Sequence, residues 1–134
     1  KAVAKAIPEL SGKLTGNAIR VPTPNVSLAV LVLNLKEEVT KAELNEFLKN
    51  SAFTSKYRQI IGYTNSPEAV STDFYSSPFA TIVDSQATIA EGKQVTLYCW
   101  YDNEFGYSKQ VLNLTKKVAK IELPRFPKAI DPSV

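Results

Sequence analysis

The sequence predicts an α+β domain in which a mixed, largely antiparallel sheet carries helices on one face. Three observations favour this class: a long apolar segment at 26–35, a strongly capped helix after Thr40, and several short strands without regular helical crossovers between them. The chain has 134 residues, which suits one domain and is enough to bury a sizeable core.

The first part of the chain predicts a helix end, a strand, a turn and a second strand. Residues 1–7 have a helical composition that Pro8 interrupts, and residues 14–21 are typical of a strand. Residues 22–25 form a rigid turn, because proline fixes φ and biases the preceding residue away from helix. Residues 26–35 are almost continuously apolar, so we expect a strand covered on both faces.

The clearest helix covers residues 40–50. Thr40 is placed to be its N-cap, and Glu43 completes a capping box. Leu44, Phe47 and Leu48 follow at helical spacing and form one apolar stripe.

The second half predicts further short strands and a last helix. The strand segments are 60–63, 69–74, 80–84, 87–90 and 94–101. Gly92 lies in a tight turn between the last two. The helix covers 108–120, and its apolar side consists of Val111, Leu112, Thr115, Val118 and Ala119.

Composition excludes several kinds of chemistry. The chain has no histidine and one cysteine, so it cannot build a Ser-His-Asp or Cys-His pair, an intrachain disulfide or a multi-cysteine metal site. The net charge is only +3, and the basic and acidic residues are interspersed, which does not favour specific nucleic-acid binding.

The chain also lacks targeting and membrane signals. No apolar run reaches the length of a membrane span, and the first residues do not follow a signal-peptide layout. The first residue is lysine, so we expect a processed or excised piece of a longer protein.

Arg20 is the most informative single charge. On the predicted strand it shares a face with Leu14, Gly16 and Ala18, so we expect a partly desolvated guanidinium that needs an anion. That anion is either a carboxylate of the chain or a bound phosphate or carboxylate ligand.

Residues 98–108 are the second candidate region. Five aromatic residues surround Asp102, Asn103 and Glu104 at a strand-to-helix turn, which is typical of a ligand site but also of a capped helix start packed with core aromatics. Cys99 lies in mid-strand without a base, which favours a buried structural thiol. Asp73 and Asp84 are possible acids whose positions suit capping or ion pairing equally well.

Several motifs resemble those of phosphorylating glyceraldehyde-3-phosphate dehydrogenase. They are IPELSGKLTGNAIRVPTPNVS at 7–27, IGY at 61–63, STDF at 71–74 and WYDNEFGYS at 100–108, in the order in which that family has them. The resemblance covers residues 1–120 and corresponds to the C-terminal part of the family's catalytic domain. Residues 121–134 form a Pro-rich tail that resembles the longer bacterial members.

The resemblance implies an NAD-dependent enzyme of glycolysis and gluconeogenesis, cytoplasmic and homotetrameric, with NADP as an open alternative. Its substrates would be glyceraldehyde 3-phosphate and inorganic phosphate. In the family the catalytic cysteine and histidine lie upstream of the part that this chain resembles, so we expect the chain alone to be inactive. It would contribute no catalytic residue and no metal ligand.

The resemblance also assigns roles to four residues. Arg20 matches the arginine that binds the substrate phosphate and the attacking phosphate. Asn103 matches the asparagine that holds the nicotinamide carboxamide, and Tyr107 matches the tyrosine beside the nicotinamide. Glu104 is expected to support the turn behind them. Apolar strand faces such as residues 26–35 are expected to be tetramer contacts.

Two alternatives remain at this point. An erythrose-4-phosphate dehydrogenase shares the fold and these motifs. A stand-alone binding or assembly module that reuses the domain is the alternative from a different functional class.

Overall fold

The computed structural model describes residues 2–121, which form three α-helices, two short 3-10 helices and four strands. In chain order these are α1 (Ala2–Ala6), a 3-10 helix (Pro8–Leu10), β1 (Ser27–Asn34), α2 (Lys41–Phe53), β2 (Ile61–Thr64), a 3-10 helix (Ser71–Phe74), β3 (Thr81–Glu91), β4 (Gln94–Tyr101) and α3 (Asn103–Val118). The predicted tail lies outside the described residues, apart from Ile121.

The four strands form one mixed sheet in the order β1-β4-β3-β2. β1 and β3 both pair antiparallel with β4, while β2 pairs parallel with β3. The β3–β4 hairpin closes at Gly92, whose φ of +59° is readily adopted only by glycine. The α+β class with a largely antiparallel sheet is therefore confirmed.

The predicted capping box of α2 is present. The Glu43 N–H donates to the Thr40 hydroxyl at 3.3 Å, and the Thr40 N–H donates to the Glu43 carboxylate at 2.9 Å. Leu44 and Leu48 then pack against a buried cluster on the sheet. The cap thus fixes the start of the helix that covers this face.

The core consists of two clusters on opposite faces of the sheet. Val83, Leu97 and Cys99 are buried beneath α2. Val26, Phe74 and Ile82 are buried on the other face, where the Trp100 ring stacks on Phe74 with centroids 5.4 Å apart. Because successive side chains of a strand point to opposite faces, β3 and β4 contribute to both clusters.

The prediction of a strand at 14–21 is wrong. No strand is assigned there, and residues 11–24 are all exposed. A strand requires a neighbour for its N–H and C=O groups. The four-stranded sheet of residues 2–121 provides none for this segment, so its backbone faces solvent.

Two further predictions differ from the structure. The strand expected at 69–74 is a 3-10 helix, in which the Asp73 carboxylate accepts the Val70 N–H at 2.9 Å. The two strands expected at 80–84 and 87–90 are a single strand, β3, with an irregularity in its pairing between Asp84 and Ile89.

The largest departure from the expected burial is a set of exposed apolar side chains on β1 and β3. We name this set the open face; it consists of Leu28, Val30, Val32 and Ile89. The three β1 residues are 40%, 51% and 61% exposed, so β1 is not covered on both faces. The apolar side predicted for α3 is exposed along its whole length as well. This chain therefore presents to solvent a sheet face and a helix side whose composition suits burial.

No helix in residues 2–121 is both long and apolar enough to cross a membrane.

Gly106→Ala should displace the start of α3. A Cβ at this buried position would lie 2.7 Å from the carbonyl oxygen of Phe79, which is backbone and cannot swing aside. We expect a loss of about 1–3 kcal/mol in the free energy of unfolding, measured by urea denaturation. Gly16→Ala is the matched control, because nothing lies within 4 Å of its added Cβ. Equal effects of the two variants would contradict this packing.

Candidate functional site

The candidate site lies where the segment before β1 meets the N-terminus of α3. Asn25 and Val26 form the entry to β1, and the Val26 N–H donates to the Asn25 side-chain oxygen at 2.7 Å. Val26 has φ 69°, a left-handed conformation that is costly for a β-branched residue. Such strain persists only where the surroundings enforce it. Here Val26 is buried against Phe74 and Ile82.

Asp102 joins three separate segments at this point. One carboxylate oxygen accepts the Asn25 side-chain amide at 3.0 Å and the Ser76 N–H at 3.0 Å. The other accepts the N–H groups of Glu104 at 3.1 Å and Phe105 at 2.9 Å. Asp102 is therefore the N-cap of α3 and at the same time anchors the β1 entry and the loop at Ser76.

These hydrogen bonds lower the pKa of Asp102 below its ordinary value. The largest cause is the bond from the Phe105 N–H, and the bonds from Ser76, Glu104 and Asn25 act in the same direction while burial opposes them. The side chain is only 3% exposed, so the carboxylate is held charged by donors rather than by water.

Asn103 is the first residue of α3 and contacts the start of β1. Its side-chain NH2 group donates to the Ser27 hydroxyl oxygen at 2.8 Å. Ser27 lies opposite Tyr101 in the β1–β4 register, so the two residues are brought together by the sheet. The Asn103 side chain is otherwise exposed, which leaves it accessible to a ligand.

α3 begins at Asn103, five residues before the predicted start, because Asp102 caps it. Asn103 and Tyr107 are therefore on the helix and not in the turn before it. Four residues apart, they lie on the same side of α3. Tyr107 is 71% exposed, and Glu104 is exposed while its N–H is held by Asp102.

Arg20 differs from the expectation of partial desolvation. It lies in the exposed segment 11–24. The face it was expected to share with Leu14, Gly16 and Ala18 depends on a strand that does not form. Arg20 precedes Asn25 and Ser27 in the chain, and these two residues are hydrogen-bonded to Asp102 and Asn103 at the site.

The other candidate residues have structural positions. Cys99 is buried, and desolvation raises the pKa of its thiol, which confirms a structural thiol. Asp73 caps a 3-10 helix. Asp84 accepts the Gln86 and Ala87 N–H groups and the Trp100 indole N–H, so it stabilises the irregular part of β3. Within residues 2–121 no three His, Cys, Asp or Glu side chains gather as metal ligands.

Sequence reasoning missed Asn25, Ser27 and Ser76. Asn25 had a usable signal, since an asparagine after proline and before a strand is a common side-chain-capped turn. Ser27 and Ser76 had none, because their partners are 76 and 26 residues away in the chain.

Asp102→Asn should destabilise the protein at neutral pH, because the new NH2 group would face the Ser76 and Asn25 donors. We expect a loss of about 1.5–3 kcal/mol in urea denaturation. Because the folded-state pKa is lowered, the stabilisation by the carboxylate is present above the unfolded value of about 3.9 and is lost as the pH falls through the folded value.

The variant should therefore lose less stability than the wild type below about pH 4. Asp73→Asn is the control, since that carboxylate is exposed and caps only a local turn. If the wild type and Asp102→Asn lose equal amounts of unfolding free energy as the pH falls below about 4, the proposed stabilisation by the Asp102 carboxylate is wrong.

Residues 1–103 match the family model described as glyceraldehyde 3-phosphate dehydrogenase, C-terminal domain. A glyceraldehyde-3-phosphate dehydrogenase-like protein of Pseudomonas aeruginosa is 53% identical over 127 residues, which is 95% of this chain and 28% of that protein.

Glyceraldehyde-3-phosphate dehydrogenase of Zymomonas mobilis is 45% identical over 90% of this chain and 36% of its own length. Glyceraldehyde-3-phosphate dehydrogenase 2 of Bacillus subtilis is 45% identical over 89% of this chain and 35% of its own length. The chain thus spans about a third of the length of these relatives. Because the family model covers well over half of the chain, the chain belongs to the glyceraldehyde-3-phosphate dehydrogenase family and corresponds to its C-terminal domain.

Proposed function

We propose that these residues act as the C-terminal part of the catalytic domain of an NAD-dependent phosphorylating glyceraldehyde-3-phosphate dehydrogenase. In this role the chain binds the nicotinamide end of the cofactor and the phosphate groups of the reaction. The observation that carries the proposal is the fixed N-terminus of α3, which presents Asn103 and Tyr107 side by side next to β1.

The nicotinamide fits the residues at this helix start. An asparagine amide is complementary to a carboxamide, because each group has both a hydrogen-bond donor and an acceptor. Tyr107 lies one helical turn further on the same side and is exposed, so its ring can pack beside a planar heterocycle. When bound there, the nicotinamide would supply the hydride acceptor for oxidation of the aldehyde.

Arg20 binds the anions in this proposal. Its exposed guanidinium can form two parallel hydrogen bonds to a phosphate. The same fork serves the phosphate of the aldehyde substrate and the inorganic phosphate that attacks later, since both present similar oxygens. The rigid link from Arg20 through Pro22 and Pro24 to Asn25 limits its distance from the helix start.

In this proposal the nucleophile and the base lie outside the described residues, in another part of the full-length protein. The chain has no histidine, and Cys99 is buried with its thiol pKa raised, so it does not form a reactive thiolate. The described residues therefore hold and orient substrate and cofactor, and the bond-making groups are contributed by the rest of the protein.

The open face is the proposed contact between subunits of a homotetramer. Four large apolar side chains on one side of a sheet are typical of an interface when they are exposed together. A soluble assembly of this kind is consistent with a cytoplasmic enzyme.

Arg20→Ala in the full-length protein should raise the KM for phosphate and for glyceraldehyde 3-phosphate and lower kcat, because a charge-assisted bond worth about 1.5–3 kcal/mol is lost. Steady-state kinetics at varied phosphate measure the effect. Lys13→Ala removes an exposed cation from the same segment and is the control. Unchanged phosphate dependence in Arg20→Ala would refute the assignment.

Replacing Val30 and Val32 together by lysine should dissociate the full-length tetramer, since two charges would then be buried in each subunit contact. Sedimentation velocity should show dimers or monomers. Val70→Lys is the control, because Val70 is 52% exposed just before the second 3-10 helix and lies outside the open face. A double variant that stays tetrameric would exclude the open face as the contact.

A further inference from the structure

We propose that Ser27 is a positioning residue for the cofactor: its hydroxyl holds the Asn103 side chain beside the start of β1, in a rotamer that receives the nicotinamide carboxamide. This inference rests on the proposed function, because it assumes that Asn103 contacts the nicotinamide. Ser27 itself touches neither substrate nor cofactor in the proposal and acts only through Asn103.

The first support is the contact itself. The Asn103 NH2 group donates to the Ser27 hydroxyl oxygen at 2.8 Å, an ordinary length for such a bond. Asn103 is exposed, and among the residues that the structure describes its side-chain amide bonds to Ser27 and to no residue of its own helix. Within the described residues, this bond from Asn103 to Ser27 therefore restricts the rotation of the Asn103 side chain.

The second support is that both partners stand on fixed backbone. Ser27 is paired with Tyr101 in the sheet and follows Val26, whose strained φ of 69° sets the direction in which β1 starts. Asn103 directly follows Asp102, which caps α3 with two backbone hydrogen bonds. A single hydroxyl can orient a side chain to a useful accuracy only when neither end can move.

The third support is the consequence for the ligand. One NH2 hydrogen of Asn103 is bonded to Ser27, and the Asn103 carbonyl oxygen is left as an acceptor for the NH2 group of a carboxamide. Without the Ser27 hydroxyl the Asn103 side chain loses this hydrogen bond and is free to adopt other rotamers. The nicotinamide ring would then be held less tightly, and its two faces would be less strictly distinguished.

The test compares Ser27→Ala with Ser27→Thr in the full-length enzyme. Ser27→Ala should raise the Kd for NAD, measured by protein fluorescence, about three- to tenfold. With NAD deuterated at C4 of the nicotinamide, a measurable fraction of the product should carry the new hydrogen on the opposite ring face. The KM for glyceraldehyde 3-phosphate should stay unchanged, and Ser27→Thr should restore both NAD affinity and stereospecificity because it keeps the hydroxyl.

Ser66→Ala is the matched control, since that hydroxyl accepts only a local N–H in the loop after β2. If Ser27→Ala does not fold, Ser27→Cys replaces it, because the thiol keeps the size but is a weak acceptor. Asn103→Ala tests the proposed function separately and should weaken NAD binding at least as much as Ser27→Ala.

Each other outcome overturns the inference. If Asn103→Ala weakens NAD binding and Ser27→Ala does not, Ser27 has no positioning role and the Asn103 contact stands. If neither variant changes NAD binding, the Asn103 contact is itself wrong. If Ser27→Ala raises the KM of both substrates equally and lowers Tm, or if Ser27→Thr fails to restore stereospecificity, Ser27 is only structural.

Discussion

The Asp102 carboxylate is the interaction on which the site depends. It gathers donors from the β1 entry, from the loop at Ser76 and from the first turn of α3. One of these donors, Ser76, is itself in a left-handed conformation with φ 57°, and another, Asn25, precedes Val26 with φ 69° and accepts its N–H. Left-handed conformations at non-glycine residues cost about 1–3 kcal/mol each and need compensation nearby. Charge-assisted hydrogen bonds in a water-poor setting are strong enough to provide it.

In this arrangement the residue that fixes the backbone is distinct from the residues proposed to contact ligands. The groups that would meet ligands, Arg20, Asn103 and Tyr107, are exposed, whereas the group that positions the helix start is buried. Asp102 is buried, and both of its carboxylate oxygens accept two hydrogen bonds each, so it is not available to bind a ligand cation or to transfer a proton at neutral pH. Its value is geometric, because it places an asparagine and a tyrosine on one side of a helix whose start is fixed relative to the sheet.

Much of the fold could be predicted from local pattern alone. The α2 capping box, the β4 limits and the turn at Gly92 all follow from neighbours in the sequence, and all three are present. The start of α3 lies earlier than predicted although its signal is local, because the Asp102 carboxylate caps the helix by accepting the Glu104 and Phe105 N–H groups. The strand that failed depends on distant partners: residues 14–21 have a strand-like composition but meet no neighbouring strand among residues 2–121. The contact between Ser27 and Asn103 could not be predicted for the same reason, because the two residues are 76 positions apart in the chain.

β1 is the outermost strand on its side of the four-stranded sheet, so one row of its N–H and C=O groups has no strand beside it among residues 2–121. Such an edge accepts any extended peptide, including one from an identical molecule. If proteolysis separated these residues from the rest of the protein, the exposed edge of β1 would therefore be a site of aggregation.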